Sequence, residues 1–254
     1  MPGELDRNPP SMAEPPGGRE TAPALAGHSP GCGPEHGLRA GTGGTAPPAR
    51  NTRPDRATRF LETTRGVLAY SELAPLLAER VLRLETALYQ TEFASWPLDE
   101  RLPAEFHRRI CADLVPDWAG QLRTIAVRVG NLNPPPPHRV PLLMRDYGSD
   151  LLARWPAAAA AIGDLTLELL AFAEGRFLSI HPFQDFNGQT IRLFLLELLR
   201  RLDLPRVALA PDTERDRECY FRALEAADRH DWQPLVAIWQ DRFTTAGQQP
   251  GTPS

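Results

Sequence analysis

Lysine is absent from this 254-residue chain, and all 28 of its basic side chains are arginines. A phosphate-binding loop of the Walker type needs a lysine, so this chain cannot contain one. Catalysis through a lysine Schiff base is excluded for the same reason.

Cysteine is scarce as well. Cys32, Cys111 and Cys219 are scattered and odd in number, so they form neither a disulfide framework nor a zinc-binding spacing. They fit a reducing cytoplasm, where we expect the protein to reside, with Cys111 and Cys219 buried as small apolar residues. The N-terminus also lacks the basic and apolar segments of a signal peptide.

The chain has little charge of either sign in excess and no long apolar run. Its net charge of −4 gives no basic field, so we expect no nucleic-acid partner. The longest apolar run lies near residues 157–162 and is far too short to span a membrane. Hydrophobic residues make up 42% of the chain, which is enough for one solid core.

Composition divides the chain into four regions. Residues 1–55 are crowded with proline, glycine and small polar residues, which predicts a disordered tail. Residues 56–100 are predicted to be an N-terminal helical region, because apolar residues recur at three- and four-residue intervals from Leu73 to Leu88. A helical core follows at 101–244, and residues 245–254 are predicted to be a second disordered tail.

The core pattern predicts an all-α fold with one small β-hairpin. The β-branched stretch 124–130 suggests a strand, the prolines of 131–137 require an extended loop, and 140–144 would return as an edge strand containing Pro141. Helices are predicted elsewhere. One starts at Pro103 and buries Phe106, Ile110 and Leu114.

One or two helices are predicted to span 150–180, with a break at Pro156 and with Leu165, Leu169 and Phe172 pointing inward. Further helices are predicted at 191–202, 216–227 and 234–243.

The segment from His181 to Arg192 carries the strongest indication of chemistry. It combines a candidate base, His181, with a candidate metal ligand, Asp185, and an Asn-Gly turn that opens an apolar helix. The start of a helix presents unpaired amides and a favourable dipole to anions, which suits transfer of a phosphate-containing group. The structural alternative is a helix–turn–helix corner with a buried histidine and a capping Asp185 or Asn187.

This segment resembles the signature of Fic-domain proteins, His-Pro-Phe-x-(Asp/Glu)-Gly-Asn-(Gly/Lys)-Arg-x-x-Arg. Phe186 departs from it where Gly is usual, and Gln189 departs where the first Arg is usual. The matching residues are His181, Pro182, Phe183, Asp185, Asn187, Gly188 and Arg192. Further similar segments, in the same order, are 118–123 (Trp-Ala-Gly-Gln-Leu-Arg), 134–144, 220–224 and 231–235, so the likeness covers residues 80–243.

The resemblance implies a Fic-type helical bundle that transfers AMP from ATP to a Ser, Thr or Tyr hydroxyl of a target protein. In that interpretation His181 is the general base and Asp185 is the ligand of Mg²⁺. The phosphates would be bound by Asn187, by Gly188 and Gln189, and by Arg192.

The resemblance also implies a flap that positions the target, and here it would include His138, Arg139 and Val140. Many relatives carry an inhibitory helix with the pattern (Ser/Thr)-x-x-x-Glu-(Gly/Asn). Residues 58–63 match it in part and make Glu62 the candidate inhibitory glutamate.

The two departures from the signature affect different properties. Gln189 replaces a charged guanidinium with a neutral amide, so nucleotide binding or turnover should be weaker. Phe186 is expected to keep an ordinary backbone conformation and to pack its ring beneath the loop; a positive φ would strain it by about 1–3 kcal/mol.

Two alternatives to AMP transfer stay open. One is a catalytically impaired Fic-fold module that binds a nucleotide or a protein, which Gln189 favours. The other is a phosphotransferase variant of the fold, although such relatives usually carry Lys at the position of Gly188. A homo-oligomer or an antitoxin partner is also compatible with the resemblance.

Overall fold

Seven α-helices and one two-stranded hairpin make up the part of the chain that the computed structural model describes, residues 60–130, 132 and 134–248. All of these residues belong to one unit, 31–254. In chain order the elements are β1 (Phe60–Thr63), β2 (Gly66–Ala69), α1 (Tyr70–Tyr89), α2 (Arg101–Cys111), a 3₁₀ turn (Pro137–Arg139), α3 (Val140–Ala160), α4 (Asp164–Ile180), α5 (Asn187–Arg201), α6 (Glu214–Ala227) and α7 (Gln233–Gln248). The predicted tail 1–55 lies outside the described residues.

Helix α4 is the centre of the bundle and packs against α3, α5, α6 and α7. Its residues from Leu169 to Ala173 are all buried, as expected for a helix that has neighbouring helices on several sides. Gly175 permits a close approach of α7, because a Cβ atom there would lie 2.7 Å from Leu235 Cδ1.

A buried carboxylate ties α4 to the two C-terminal helices. Glu174 is 2% exposed and accepts hydrogen bonds from Arg242 of α7, at 2.8 Å, and from the hydroxyl of Tyr220 of α6, also at 2.8 Å. A charge removed from water needs such partners, so this cluster fixes how α6 and α7 close the bundle.

The predicted apolar faces of the first two helices are confirmed. Leu73, Leu77, Leu84 and Leu88 of α1 are buried, and so are Phe106 and Ile110 of α2 with Leu114 just beyond it. Helix α2 begins at Arg101, two residues before the proline that was expected to start it.

The small hairpin is present, but its predicted position is wrong. It consists of Phe60–Thr63 paired antiparallel with Gly66–Ala69, in the region expected to be helical. Residues 124–130 form no strand, and an isolated bridge joins Val129 to Leu132. Prolines at 134–137 remove the amide donors that a strand pair would need, and Pro141 lies in the first turn of α3, where a missing amide costs nothing.

Three further expectations are wrong in detail. Helix α3 runs through Pro156 to Ala160, and Leu165 in the first turn of α4 is 54% exposed although Leu169 and Phe172 are buried. Cys219 is only partly buried, whereas Cys111 is buried as predicted.

The C-terminal helix is longer than predicted. It reaches Gln248, so residues 245–248 are helical and only 249–254 of the second predicted tail lie outside the described residues. In the described part of the chain, no helix combines the length and the apolar character needed to cross a membrane.

Candidate functional site

The residues between α4 and α5, 181–186, form what we call the motif loop. His181 caps the C-terminus of α4 in a left-handed conformation with φ of 50°. Its amide donates to the carbonyl of Phe177 at 2.9 Å, and its carbonyl accepts a bond from Nε of Arg123 at 2.7 Å. The backbone of the candidate base is therefore fixed on both sides, while its side chain is partly exposed.

Arg123 holds the motif loop from beneath. It is 4% exposed and donates to the carbonyls of His181, Ile125 at 3.0 Å and Pro135 at 2.6 Å. Burial lowers the pKa of its guanidinium. Its own amide donates to the carbonyl of Pro182 at 2.9 Å, so one buried cation joins the motif loop to the segment before α3. In the sequence, Arg123 was recognised only as the last residue of segment 118–123, which resembles Fic-domain proteins, and no role was predicted for it.

His107 of α2 is a second buried support, which the sequence analysis did not identify. Its Nδ1 accepts a hydrogen bond from the amide of Gly120 at 2.8 Å, and its Nε2 lies 3.2 Å from the carbonyl oxygen of Asp185. Burial lowers the pKa of this imidazole to about 4, because a charged ring would be deprived of water. The only indication of this role in the sequence was that His107 is a polar residue next to Phe106, on the buried side of α2.

Asp185 presents the one carboxylate of the motif loop. Its Oδ1 accepts the amide of Phe186 at 2.8 Å, and its Oδ2 accepts the hydroxyl of Tyr70, the first residue of α1. The contact with Tyr70 was not predicted, since the two residues lie far apart in sequence.

The donor set around Asp185 fits Mg²⁺ that is bound together with phosphate. No group of three or more His, Cys, Asp or Glu side chains in the described part of the chain could enclose a metal ion. Mg²⁺ commonly takes one or two carboxylates and fills its other positions with water and phosphate oxygens, so a single Asp185 is sufficient for it.

Asn187 braces the loop with its side chain. Its Oδ1 accepts the amide of Phe183 at 3.0 Å, its Nδ2 donates to the carbonyl of Phe183 at 2.9 Å, and the residue is 2% exposed. The side chain is therefore engaged inside the loop. The backbone amide of Asn187 lies at the N-terminus of α5.

Phe186 precedes α5 in a left-handed conformation with φ of 57°, so the expectation of an ordinary conformation is wrong. Its ring is 2% exposed and stacks on Trp118 at a centroid distance of 5.9 Å, so the expected packing beneath the loop is confirmed. Because a phenylalanine offers no side-chain cap, the first amides of α5 have no partner from that residue.

The start of α5 is open. A Cβ atom added to Gly188 would meet nothing within 4 Å, so a ligand can approach the backbone there. Gln189 is partly exposed and Arg192, one turn further along, is exposed. No hydrogen bond or ion pair to any residue described here holds the Arg192 side chain, which leaves it available to an anion.

The residues predicted for the flap divide into two groups. His138 and Arg139 are exposed on the 3₁₀ turn. Val140 is fully buried at the start of α3, so its side chain is not accessible to a target. Glu62 was expected to lie on a helix, and this is wrong: the residue is exposed on strand β1, opposite Val67.

The described residues thus form a helical bundle with a histidine at the end of one central helix and an open helix N-terminus after a short loop. The model of the Fic/DOC family matches residues 97–199. These residues are therefore similar to the domains of the Fic/DOC family.

Solved structures confirm the fold. The N-terminal Fic domain of Bep8 from Bartonella sp. 1-1C superposes with a TM-score of 0.56 and 16% identity, over 78% of this chain and 96% of that one. The BepC protein of Bartonella tribocorum, solved with bound AMPPNP, gives a TM-score of 0.56 and 16% identity, over 74% of this chain and 93% of that one.

A curated relative is named protein adenylyltransferase fic-1, from Caenorhabditis elegans. It is 30% identical to this chain over 153 residues, which is 60% of this chain and 28% of the relative. The chain thus spans little more than a quarter of the length of that relative.

Proposed function

We propose that this protein is an adenylyltransferase that moves AMP from ATP to a Ser, Thr or Tyr hydroxyl of a target protein. The motif loop supports this most directly, because one braced backbone sets His181 at one end and the open N-terminus of α5 at the other. Relatives named as protein adenylyltransferases support the same reaction.

In the proposed reaction, the target hydroxyl oxygen attacks the α-phosphorus of ATP and passes its proton to the imidazole of His181. The new P–O bond forms as the bond to the bridging oxygen breaks, and pyrophosphate leaves. Asp185 would hold Mg²⁺, which when bound draws charge from the phosphate oxygens.

Phosphate binding is assigned to the start of α5. The amides of Asn187, Gly188 and Gln189 would donate to phosphate oxygens, helped by the helix dipole. Arg192 would add a charge-assisted bond to the terminal phosphate. At Gln189 the bond is neutral, so we expect binding that is weaker than with an arginine.

The target would meet the protein near His138 and Arg139, the two exposed residues of the 3₁₀ turn. An extended target segment could lie against the irregular backbone before this turn. A cytoplasmic location, a second copy of the chain and an antitoxin partner stay predictions. An inhibitory role for Glu62 is not part of the proposal, since its helical setting is lacking.

A catalytically impaired module that binds ATP or a protein is the second candidate, and Gln189 is the residue that favours it. Transfer of the γ-phosphate is the third, disfavoured because Gly188 stands where relatives of that type usually carry Lys.

Labelled ATP separates the three candidates. The purified protein would be incubated with Mg²⁺, a cell extract and ATP labelled at either the α- or the γ-phosphorus. Protein-bound label from the α position supports AMP transfer, and label from the γ position alone replaces it with phosphorylation. Absence of both, with ATP binding retained, supports the impaired module.

A further inference from the structure

His107 lies outside the motif, yet both of its ring nitrogens are engaged in fixed bonds. The amide of Gly120 can donate to Nδ1 only if that nitrogen carries no proton. The ring is therefore neutral with its proton on Nε2, which donates to the carbonyl of Asp185 at 3.2 Å. One tautomer is selected by the fold itself.

The orientation of the ring is also fixed. His107 is fully buried and stacks on Phe183 with a centroid distance of 4.0 Å and an angle of 13°. The stack sets the plane of the ring, and the two hydrogen bonds set its rotation within that plane. The carbonyl of Asp185 receives a second, longer bond of 3.4 Å from Nδ2 of Asn187.

We propose that His107 is a positioning residue, whose Nε2–H bond to the Asp185 carbonyl sets the direction in which the Asp185 carboxylate meets Mg²⁺. The bond to the carbonyl fixes the backbone of Asp185, and thus the Cα atom from which the carboxylate projects toward its partners, the amide of Phe186 and the hydroxyl of Tyr70. Residues that orient a metal ligand in this way typically change metal affinity or activity by about 10–100-fold when they are mutated. This inference rests on the proposed function.

Two amide side chains separate this role from simple core packing. In His107→Gln the side-chain amide reaches the position of Nε2 and can still donate to Asp185, but it loses the acceptor for Gly120. In His107→Asn the shorter amide reaches only the position of Nδ1, so it keeps the bond to Gly120 and loses the one to Asp185. His230→Asn, at an exposed histidine after α6, is the matched control.

Calorimetry with AMPPNP would be done for each variant with Mg²⁺ and again with EDTA, beside urea unfolding. His107→Asn should weaken binding in Mg²⁺ by about 10–100-fold and leave binding in EDTA unchanged. His107→Gln should stay within about threefold of the unmutated protein, although both variants are destabilised. Equal binding by the two variants, or equal losses with and without Mg²⁺, would overturn the proposal and leave His107 as a core residue.

The unmutated protein provides a second test that does not depend on folding of a variant. With ¹⁵N-labelled histidine, the Nε2–H resonance of His107 should shift when Mg²⁺ is added to the AMPPNP complex and should not shift on adding AMPPNP in EDTA. An unchanged resonance overturns the positioning role alone. If the unmutated protein shows no Mg²⁺-dependent binding of AMPPNP, both the positioning role of His107 and the proposed role of Mg²⁺ are overturned.

Discussion

The polar groups on the two sides of the motif loop differ in burial. On the inner side, which we call the floor, the side chains of His107, Arg123 and Asn187 are at most 4% exposed and bond to loop backbone. On the outer side, the rim, Gly188 and Gln189 are partly exposed and Arg192 is exposed.

The difference separates what the fold needs from what a ligand needs. A buried donor or acceptor without a partner is costly, so the floor must be complete before any ligand arrives. The rim can leave its donors to water until an anion binds. The proposed AMP transfer would benefit from this division, because a loop that is already fixed needs no reorganisation during the reaction.

The two departures from the Fic signature fall on opposite sides of this division. Phe186 belongs with the floor, since its ring is buried against Trp118. Gln189 belongs to the rim. We therefore expect changes at Phe186 to act on stability, and changes at Gln189 to act on nucleotide binding.

The largest expected effect is on the rate of AMP transfer when the base is removed. His181→Ala should lower transfer by about 10²–10⁴-fold, because the attacking hydroxyl loses its proton acceptor. ATP affinity should change little, as measured by calorimetry beside the transfer assay. His181→Asn repeats the test with a residue that tolerates the left-handed conformation, and His230→Asn is a control at another left-handed histidine. Undiminished transfer in both His181 variants would refute the assignment.

Next in size is the loss of the buried cation of the floor. Arg123→Ala should lower the free energy of unfolding by about 3 kcal/mol, because it leaves the buried carbonyl of Ile180 and three partly buried carbonyls without this donor. Urea unfolding measures this, and Arg128→Ala, at an exposed arginine on the same segment, should change it by less than about 0.5 kcal/mol. Equal stability of the two variants would show that the floor does not depend on Arg123.

A charge restored at the rim should have a smaller effect and no effect on the fold. Gln189→Arg should tighten ATP binding by about 1–2 kcal/mol, the difference between a charged and a neutral hydrogen bond. Calorimetry at fixed Mg²⁺ measures the affinity, and Arg192→Ala should weaken it. If both variants bind ATP as the unmutated protein does, neither side chain faces a phosphate, and the rim does not bind the nucleotide.

The smallest expected effect concerns the backbone strain at Phe186. Phe186→Ala and Phe186→Gly lose the same ring, but only alanine keeps a Cβ atom at a φ of 57°. The glycine variant should therefore be more stable than the alanine variant by about 1 kcal/mol in urea unfolding, although both are less stable than the unmutated protein. A glycine variant that is the less stable of the two would mean that this conformation carries no strain.

The sequence by itself determined the helical class, the apolar faces of α1 and α2, and the motif that ends α4 and begins α5. These features follow from local spacing, because helical periodicity and turn residues act within a few positions of one another. The same reasoning misplaced the hairpin. Four-residue strands carry little periodicity, and prolines near 134–137 looked like a loop between strands although they lead into a helix.

Only the tertiary structure decided which residues support the site. His107, Tyr70 and Arg123 reach the motif loop from 58 to 115 positions away in the chain, and nothing in their local sequence marks the partner they bond. The left-handed conformation of Phe186 and the stacking of its ring on Trp118 were likewise visible only in the tertiary structure. Hydrogen bonds and stacking between distant segments depend on how the helices pack, and local spacing carries no information about that.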